Sequence, residues 1–210
     1  MQWRGAVFLN VKKEKSFEKR EELINAALIE FGDKGYDNAS LNNILKEAGI
    51  SKGTFYYHFK NKEELYVYLY DILAQEKMKF FNQKIKPEDF DKDIFTLLKI
   101  MSKTGAEFAR YKPEIDRFSA SYLKDLNNPI LDKVKEKYDF KGNDHLDVII
   151  NKAYERGELR EDLPKIFIKN MISYLLTNLH DITKVIDVDE YAIEFNYLID
   201  FFKDGLGKKE

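Results

Sequence analysis

The feature that most constrains the fold is a pair of short helical segments separated by one glycine, between Ser40 and Lys60. Ser40 and Ser51 each precede a short stretch with helical spacing, and serine is favoured at a helix start because its hydroxyl accepts a hydrogen bond from a free backbone amide. Gly49 lies between the two stretches, where glycine permits a tight turn. The sequence therefore predicts two short helices joined by a turn.

Two further helices flank this pair. Upstream, apolar residues recur on one helix face from Ser16 onwards, and Gly35 is placed to end that helix. The apolar stripe consists of Ile24, Ala27, Leu28 and Phe31. Downstream, Asn61 and Glu64 have the spacing of a capping box, which predicts a long helix running from Lys62 to about Gln83.

The rest of the chain is also predicted to be helical. Prolines at helix starts and glycines at helix ends indicate helices at Ile94 to Tyr111, from Pro113, from about Pro129, from Leu146 to Gly157, from Pro164 to Val185, and from Val188 to about Lys203. We therefore expect an all-α protein. It would have a flexible extension at residues 1–15, an N-terminal three-helix helix-turn-helix domain at 16–62 and a larger C-terminal helical domain at 63–210.

Composition excludes several classes of protein. The chain has no cysteine, which excludes disulfides, thiolate catalysis and cysteine-ligated metal centres. It has no run of about 18 apolar residues, so we expect a soluble, cytoplasmic protein. The formal net charge is -2, and residues 11–65 carry as many acidic as basic side chains. Any affinity for nucleic acid must therefore come from where the cations are placed.

The second short helix carries an unusual set of side chains. Phe55 and Phe59 are one helical turn apart and are predicted to enter a small core. Aromatic residues at this spacing are often simply core, but Tyr56 and Tyr57 cannot both point inward with them. Exposed hydroxyls, rings and cations suit a DNA groove, because they can bind phosphate oxygens and pack on thymine methyl groups and sugars. Lys62, beside the first amides of the next helix, is placed to bind a phosphate.

Between Phe31 and Leu65 the sequence resembles the tetracycline-repressor (TetR) family of bacterial regulators. The matching residues are Phe31, Gly35, Tyr36, Ser40, Ile44 and the run from Ala48 to Leu65. The resemblance implies a sequence-specific, DNA-binding transcriptional regulator in which Lys52, Gly53 and Tyr56 address bases. It also implies that the DNA phosphates are bound by Ser51, Tyr57, His58 and Lys62. The complete expected DNA-binding set is Ser40, Asn42, Asn43, Ser51, Lys52, Gly53, Thr54, Tyr56, Tyr57, His58, Lys60 and Lys62.

The helix after Pro164 is apolar on two faces, with Ile168 on one and Phe167 on the other. One face can pack within its own domain, and the other needs a partner, unless both are buried within one subunit. The resemblance favours a homodimer in which this helix and the last one form a four-helix interface, reading a palindromic operator. The residues expected in the interface are Ile168, Ile172, Leu175, Leu179, Ile182, Tyr191, Phe195, Leu198 and Phe202.

The resemblance also implies an effector pocket in the C-terminal helices. The residues expected to line it are Phe108, Phe118, Tyr122, Tyr154, Tyr174 and Asn178. Apolar walls with several hydroxyls suit an amphipathic small molecule. We therefore expect a repressor that leaves its operator when a small amphipathic or hydrophobic effector binds.

Two other functions compete with this one. An enzyme would depend on His180 with Asp181 and on Asp144 with His145, but the chain has 3 histidines and lacks metal-ligand spacings such as His-x-x-x-His. We therefore expect no metal, no cofactor and no enzymatic activity. A DNA-bound scaffold without an effector, whose C-terminal half only dimerises or binds another protein, stays open.

Overall fold

A computed structural model of the chain describes residues 17–138, 144–183, 185 and 187–208. In these residues the secondary structure is helical, apart from an isolated β-bridge between Leu159 and Gly207. The helices are α1 (Arg20–Asn38), α2 (Leu41–Ala48), α3 (Lys52–His58), α4 (Lys62–Lys84), α5 (Ile94–Tyr111), α6 (Pro113–Ala120), α7 (Ile130–Tyr138), α8 (Asp144–Glu155), α9 (Lys165–Thr177), α10 (Leu179–Thr183) and α11 (Val188–Leu206). The predicted all-α class is confirmed. The predicted extension at 1–15 lies outside the described residues.

Most predicted helix boundaries match, with α5 spanning Ile94–Tyr111 as expected. The single helix expected from Pro164 to Val185 is wrong, because the chain leaves the helical conformation at Asn178, between α9 and α10. The side-chain amide of Asn178 donates to the carbonyl of Tyr174 at 2.7 Å. Asparagine competes with helical backbone bonding in this way. Two 3-10 helices, at Pro87–Asp91 and Ser121–Asp125, were not predicted.

The chain divides into two compact units. Of the described residues, the head unit holds 17–78 and 111–138, and the body unit holds 79–110 and 144–208. The helix α4 begins in the head unit and ends in the body unit. This grouping differs from the domain boundary expected after Lys62, because α6 and α7 belong to the same compact unit as α1, α2 and α3. The functional boundary after Lys62 stays a prediction.

The core of the head unit forms where α1 packs on α2 and α6. Its largest fully buried side chains include those of Phe31, Phe55, Phe118 and Tyr66. A Cβ atom at Gly32 would lie 3.2 Å from the backbone nitrogen of Phe118, so the glycine permits the close approach of α6 to α1.

The core of the body unit is built by α5, α8, α9 and α11. Its buried members are Ile94, Phe95, Leu97, Leu98, Ile149, Ile150, Ala153, Leu159, Ile168, Ile172, Ile199 and Phe202. Gly157 follows α8 with a φ of 69°, as expected for a glycine that ends a helix. Within the part of the chain that is described, no helix combines the length and apolar character needed to cross a membrane.

Candidate nucleic-acid interface

The turn between α2 and α3 is held by the caps that the sequence predicts. The Ser40 hydroxyl accepts from the Asn43 amide at the start of α2, and the Ser51 hydroxyl accepts from the Thr54 amide at 3.0 Å at the start of α3. Gly49 has a φ of 63°, the left-handed conformation expected for it. The predicted pair of short helices joined by a turn is confirmed.

The orientation of α3 also agrees with the prediction. Phe55 and Phe59 are buried, at 0% and 2% exposure, and their stacked rings attach the helix to the head unit. Tyr56 and Tyr57 point outward, at 55% and 85% exposure. Large aromatic side chains that a chain leaves in water, next to one another on one short helix, are unusual and indicate a binding surface.

The polar residues around these two tyrosines share the exposed side of α3. They are Ser51, Lys52, Gly53, Thr54 and Lys60. A Cβ atom added at Gly53 would have only the Ser51 hydroxyl within 4 Å, at 3.6 Å, so the backbone is open to close approach from outside. We define these residues, with Tyr56 and Tyr57, as the reading face of α3. It offers hydroxyls, two rings, two cations and bare backbone.

The residues at the start of α2 that are expected to contact DNA lie on its exposed side. Asn42 and Asn43 are exposed, and Ser40 beside them is half-buried. Glu30 of α1 accepts from the Ser40 amide at 2.9 Å and from the Lys34 ammonium at 2.8 Å. Burial opposes the ionisation of Glu30, but these hydrogen bonds outweigh it and lower the pKa of the carboxyl. The ionised carboxylate thus connects α1 to the start of α2.

The start of α4 is capped much as expected. The Asn61 side chain accepts from the Glu64 amide at 2.8 Å, while the Glu64 carboxylate accepts from the Lys60 amide at 2.7 Å. The reciprocal bond therefore closes on Lys60 rather than on Asn61. This arrangement fixes the chain between α3 and α4, and so the direction of α3 relative to the start of α4.

Lys62 makes contacts within the protein that the sequence did not predict. Its ammonium donates to the carbonyls of Tyr36 at 2.7 Å and Ala39 at 3.0 Å, and lies 4.5 Å from the centre of the Tyr36 ring. Burial lowers the pKa of this lysine. These bonds to carbonyls at the end of α1 join α4 to that helix. The expected phosphate contact of Lys62 stays a prediction.

Asp125 is a buried carboxylate that sequence reasoning missed. It lies at the end of the 3-10 helix Ser121–Asp125, is 4% exposed, and accepts from the backbone amide of Tyr36 at 2.9 Å and from the hydroxyl of Tyr66 at 2.7 Å. Burial raises the pKa of Tyr66, which keeps the hydroxyl protonated and able to donate. The carboxylate thus bonds to residues of both α1 and α4.

The backbone at Gly35 explains why Tyr36 has an amide to donate. Gly35 has a φ of 71°, which interrupts the helical backbone within α1. A Cβ atom at Gly35 would lie 3.0 Å from the Asp125 carboxylate, so glycine also leaves room for the acid. Lys124, the neighbour of Asp125, donates to the carbonyls of Gly32 at 2.8 Å and Asp33 at 2.9 Å. We call this set, with Tyr66 and Lys62, the α1 junction.

The six expected pocket residues are divided between the units. Phe108, Tyr154, Tyr174 and Asn178 belong to the body unit, and Phe118 and Tyr122 to the head unit. Phe118 is fully buried against the rings of Tyr66 and Tyr70, so it is a core residue and not a pocket wall. Tyr174 is 65% exposed on the surface of α9, which also contradicts a pocket position. The remaining pocket assignments stay predictions.

The two apolar faces of α9 are exchanged relative to the expectation. Four expected interface residues, Ile168, Ile172, Leu179 and Phe202, are at most 2% exposed within their own chain. These assignments are wrong, because a side chain already covered by its own subunit cannot contact a partner. The expected residues Leu175, Tyr191, Phe195 and Leu198 are half-buried, and Ile182 is exposed.

The opposite face of α9 and one face of α11 are the ones left in solvent. The exposed apolar residues on the two helices are Ile166, Phe167, Tyr174, Ile193, Tyr197 and Phe201. Those on α11 recur every four residues, which aligns them on one side of that helix. We call this set the apolar face.

Among the residues that the structure describes, no group of three or more His, Asp or Glu side chains is placed to hold a metal ion. The side chains of Asp144, His145, His180 and Asp181, on which the enzyme alternative depended, lie outside the described ones.

Comparison with known proteins identifies relatives of this chain. Residues 23–69 match the family model described as bacterial regulatory proteins, tetR family. The biofilm operon icaADBC HTH-type negative transcriptional regulator IcaR of Staphylococcus epidermidis is 43% identical over 47 residues, which is 22% of this chain and 25% of that protein. The fatty acid metabolism regulator protein of Bacillus subtilis is 27% identical over 157 residues, 73% of this chain and 77% of that protein.

Solved structures extend the likeness of fold to most of the chain. A TetR family transcriptional regulator from Chloroflexus aurantiacus superimposes with a TM-score of 0.69 at 22% identity, covering 91% of this chain and 94% of that one. The transcriptional regulator FadR of Bacillus subtilis, solved in complex with stearoyl-CoA, gives 0.62 at 21% identity, covering 85% of this chain and 96% of that one.

In the described residues, a helix-turn-helix with an exposed, aromatic second helix lies in a helical fold that resembles the fold of a solved TetR family transcriptional regulator. Residues 23–69, which contain this helix-turn-helix, are thus similar to the bacterial regulatory proteins of the tetR family.

Proposed function

We propose that this protein is a sequence-specific repressor that binds a palindromic operator as a homodimer and leaves it when a small amphipathic effector binds. The observation that carries the proposal is the reading face of α3. Its backbone at Gly53 is open, and its tyrosines are held outward by buried Phe55 and Phe59. Such a surface can enter a major groove, where rings contact thymine methyl groups and cations contact phosphates or guanine.

The apolar face supports a homodimer. Phe167 on α9 and Tyr197 and Phe201 on α11 are 47%, 63% and 63% exposed, although they are large and apolar. Burying this surface against the same surface of a second copy would remove it from water and produce a two-fold assembly. A two-fold protein presents two α3 helices to half-sites about 34 to 36 Å apart, which is one turn of DNA.

The names of similar proteins favour an effector that carries an apolar chain. The Bacillus subtilis regulator FadR, which resembles this chain in fold, was solved with stearoyl-CoA, and the Bacillus subtilis match in sequence is named as a fatty acid metabolism regulator protein. We propose that an effector of this kind acts through α4, the helix shared by the head and body units. Reversing operator occupancy almost completely requires a preference of about ten-thousand-fold, or roughly 5.5 kcal/mol, for the released state. Because its target is chromosomal DNA, we also propose that the protein acts in the cytoplasm.

Selection of bound DNA from a random pool tests the operator proposal. We expect an enriched palindrome with the wild-type protein and no enrichment when Tyr56 and Tyr57 are both changed to alanine. Tyr111→Ala is a matched control, because Tyr111 is a tyrosine of the head unit with 65% exposure that lies outside the reading face. Absence of an enriched sequence with the wild-type protein would contradict the proposal.

The effector is tested by thermal stability and by release from the selected operator. Long-chain acyl-CoA should raise the melting temperature, since a ligand of the folded state stabilises it by RT ln(1 + [L]/Kd), and should release the DNA. Free coenzyme A controls for the nucleotide part. A stable protein–DNA complex that no acyl-CoA or other amphipathic compound alters would favour the scaffold function instead.

A further inference from the structure

The recognition helix α3 depends on its neighbours for its position. It contains 7 residues, Lys52–His58, and helices shorter than about 12 residues are marginal in water without tertiary support. Phe55 and Phe59 hold its inner side. The end of α3 and the turn that leads into it are contacted by a short segment that precedes the helix-turn-helix in the chain, residues 17–20, which we call the clasp.

The first clasp contact lies at the end of α3. The ring of Phe17 stacks on the ring of His58, with 3.9 Å between ring centres and 14° between ring planes. His58 is the last residue of α3. A parallel stack at this distance covers one face of the imidazole, so Phe17 restricts how far the end of α3 can move.

The second clasp contact lies in the turn that leads into α3. The Lys19 ammonium donates to the carbonyl of Gly49 at 2.9 Å. Lys19 itself has a φ of 62°, and it is the one non-glycine residue with a positive φ in the described part of the chain. A residue other than glycine rarely adopts this backbone conformation unless surrounding contacts stabilise it. The bond to Gly49 is such a contact, and it fixes the turn.

The third contact anchors the clasp to α4. The Arg20 guanidinium donates to the Tyr68 hydroxyl and lies 5.6 Å from the centre of the Tyr68 ring. Tyr68 in turn packs on Phe59, with 5.5 Å between ring centres. The clasp is therefore fixed to the same aromatic group that holds the inner side of α3.

From these contacts we infer that the clasp sets the position of α3 for operator recognition. Phe17 and Lys19 are positioning residues that need not touch DNA. They act through His58, at the end of the recognition helix, and through Gly49, in the turn before that helix. This inference rests on the proposed operator binding. It assigns part of the operator affinity to residues that precede the α2–α3 pair in the chain.

The test compares variants of Phe17 that keep or lose the stack. Phe17→Leu keeps an apolar side chain but loses the ring, while Phe17→Tyr keeps the ring. The selected operator should bind the leucine variant about five- to tenfold more weakly, and the tyrosine variant should restore wild-type affinity. Lys19→Met should weaken operator binding in the same way. Glu18→Gln, an exposed clasp residue between the two, is the matched control.

Proton NMR of His58 without DNA gives a second readout. The ring protons of a stacked imidazole shift upfield, and they should move back in Phe17→Leu but not in Phe17→Tyr or Glu18→Gln. A His58→Gln variant assigns the signals. Operator affinity of Phe17→Leu equal to that of the wild type, or ring protons that do not move, would overturn the inference. Failure of the wild-type protein to select any DNA would contradict the proposed function instead, and the ring-proton shift would still decide whether the clasp holds α3.

Discussion

Gly53 is the residue at which stability and DNA affinity should respond in opposite directions. It is the second residue of α3, and an added Cβ atom would have only the Ser51 hydroxyl nearby, at 3.6 Å. Glycine in a helix is about 0.5 to 1 kcal/mol less favourable than alanine. Gly53→Ala should therefore stabilise the free protein by up to that amount. For a chain of this size the melting temperature should rise by about 1 to 4 °C.

The same methyl group should weaken operator binding. It would project from the reading face into the space where the backbone can approach a base pair. Losing one good base contact costs about 1 to 3 kcal/mol, so operator affinity should fall roughly 5- to 150-fold. Calorimetry of the free protein and fluorescence titration of a labelled operator measure the two effects.

Gly105 provides a matched control for this substitution. It lies within α5, in the body unit, and an added Cβ atom would have no neighbour within 4 Å. Gly105→Ala should give a similar rise in melting temperature without loss of operator affinity. If both variants bind the operator as the wild type does, Gly53 does not approach DNA and the assignment of the reading face is refuted.

Four other substitutions test the α1 junction and the apolar face. Lys62→Met should lower the free energy of unfolding, because the ammonium bonds to the carbonyls of Tyr36 and Ala39. The slope of log affinity for DNA against log salt concentration should fall by about one if Lys62 also binds a phosphate, and an unchanged slope would contradict that contact. Asp125→Ala leaves the buried Tyr66 hydroxyl and a backbone amide without their acceptor and should cost about 2 to 5 kcal/mol in urea unfolding; a change below about 0.5 kcal/mol would contradict the α1 junction. Phe167→Asp should yield a folded monomer in analytical ultracentrifugation, while Ile168→Asp should prevent folding; a dimeric Phe167→Asp would exclude this face from the interface.

Local patterns predicted the helix-turn-helix well because its determinants are close in sequence. The caps at Ser40 and Ser51 and the positive φ of Gly49 depend on residues within one turn of each other. The inward orientation of Phe55 and Phe59 followed from helical spacing alone. These features lie in the segment where the family resemblance is also strongest.

Contacts between residues that are far apart in the chain could not be predicted from local sequence patterns. Asp125 meets Tyr36 across a separation of 89 residues, and nothing near Asp125 in the sequence marks it as a buried acceptor. The contacts of Lys62 with the carbonyls at the end of α1, more than 20 residues away in the chain, had no local signal either. Phe17 lies beside the extension expected to be flexible, and its contact with His58 had no local signal.

The apolar faces of α9 show a different limit. Periodicity identified two faces, one containing Ile168 and one containing Phe167, and both have the spacing of a packed surface. Which face turns inward depends on how α5, α8 and α11 fill the body core, and that information is not in α9. The sequence analysis placed the expected interface on the face of α9 that contains Ile168, which the structure buries in the body core.

The central claim is that α3 reads the base sequence of the operator. Its most direct test is the ratio of the affinity for the operator to the affinity for unrelated DNA, measured for the wild-type protein and for Lys52→Ala. Affinities of wild-type and variant protein are measured on the selected operator and on a scrambled duplex of the same length, at one salt concentration. If α3 reads bases through its reading face, the variant loses about 1 to 3 kcal/mol on the operator and far less on the scrambled duplex. An equal loss on both duplexes, or no loss on either, would contradict recognition of base sequence by Lys52 of α3.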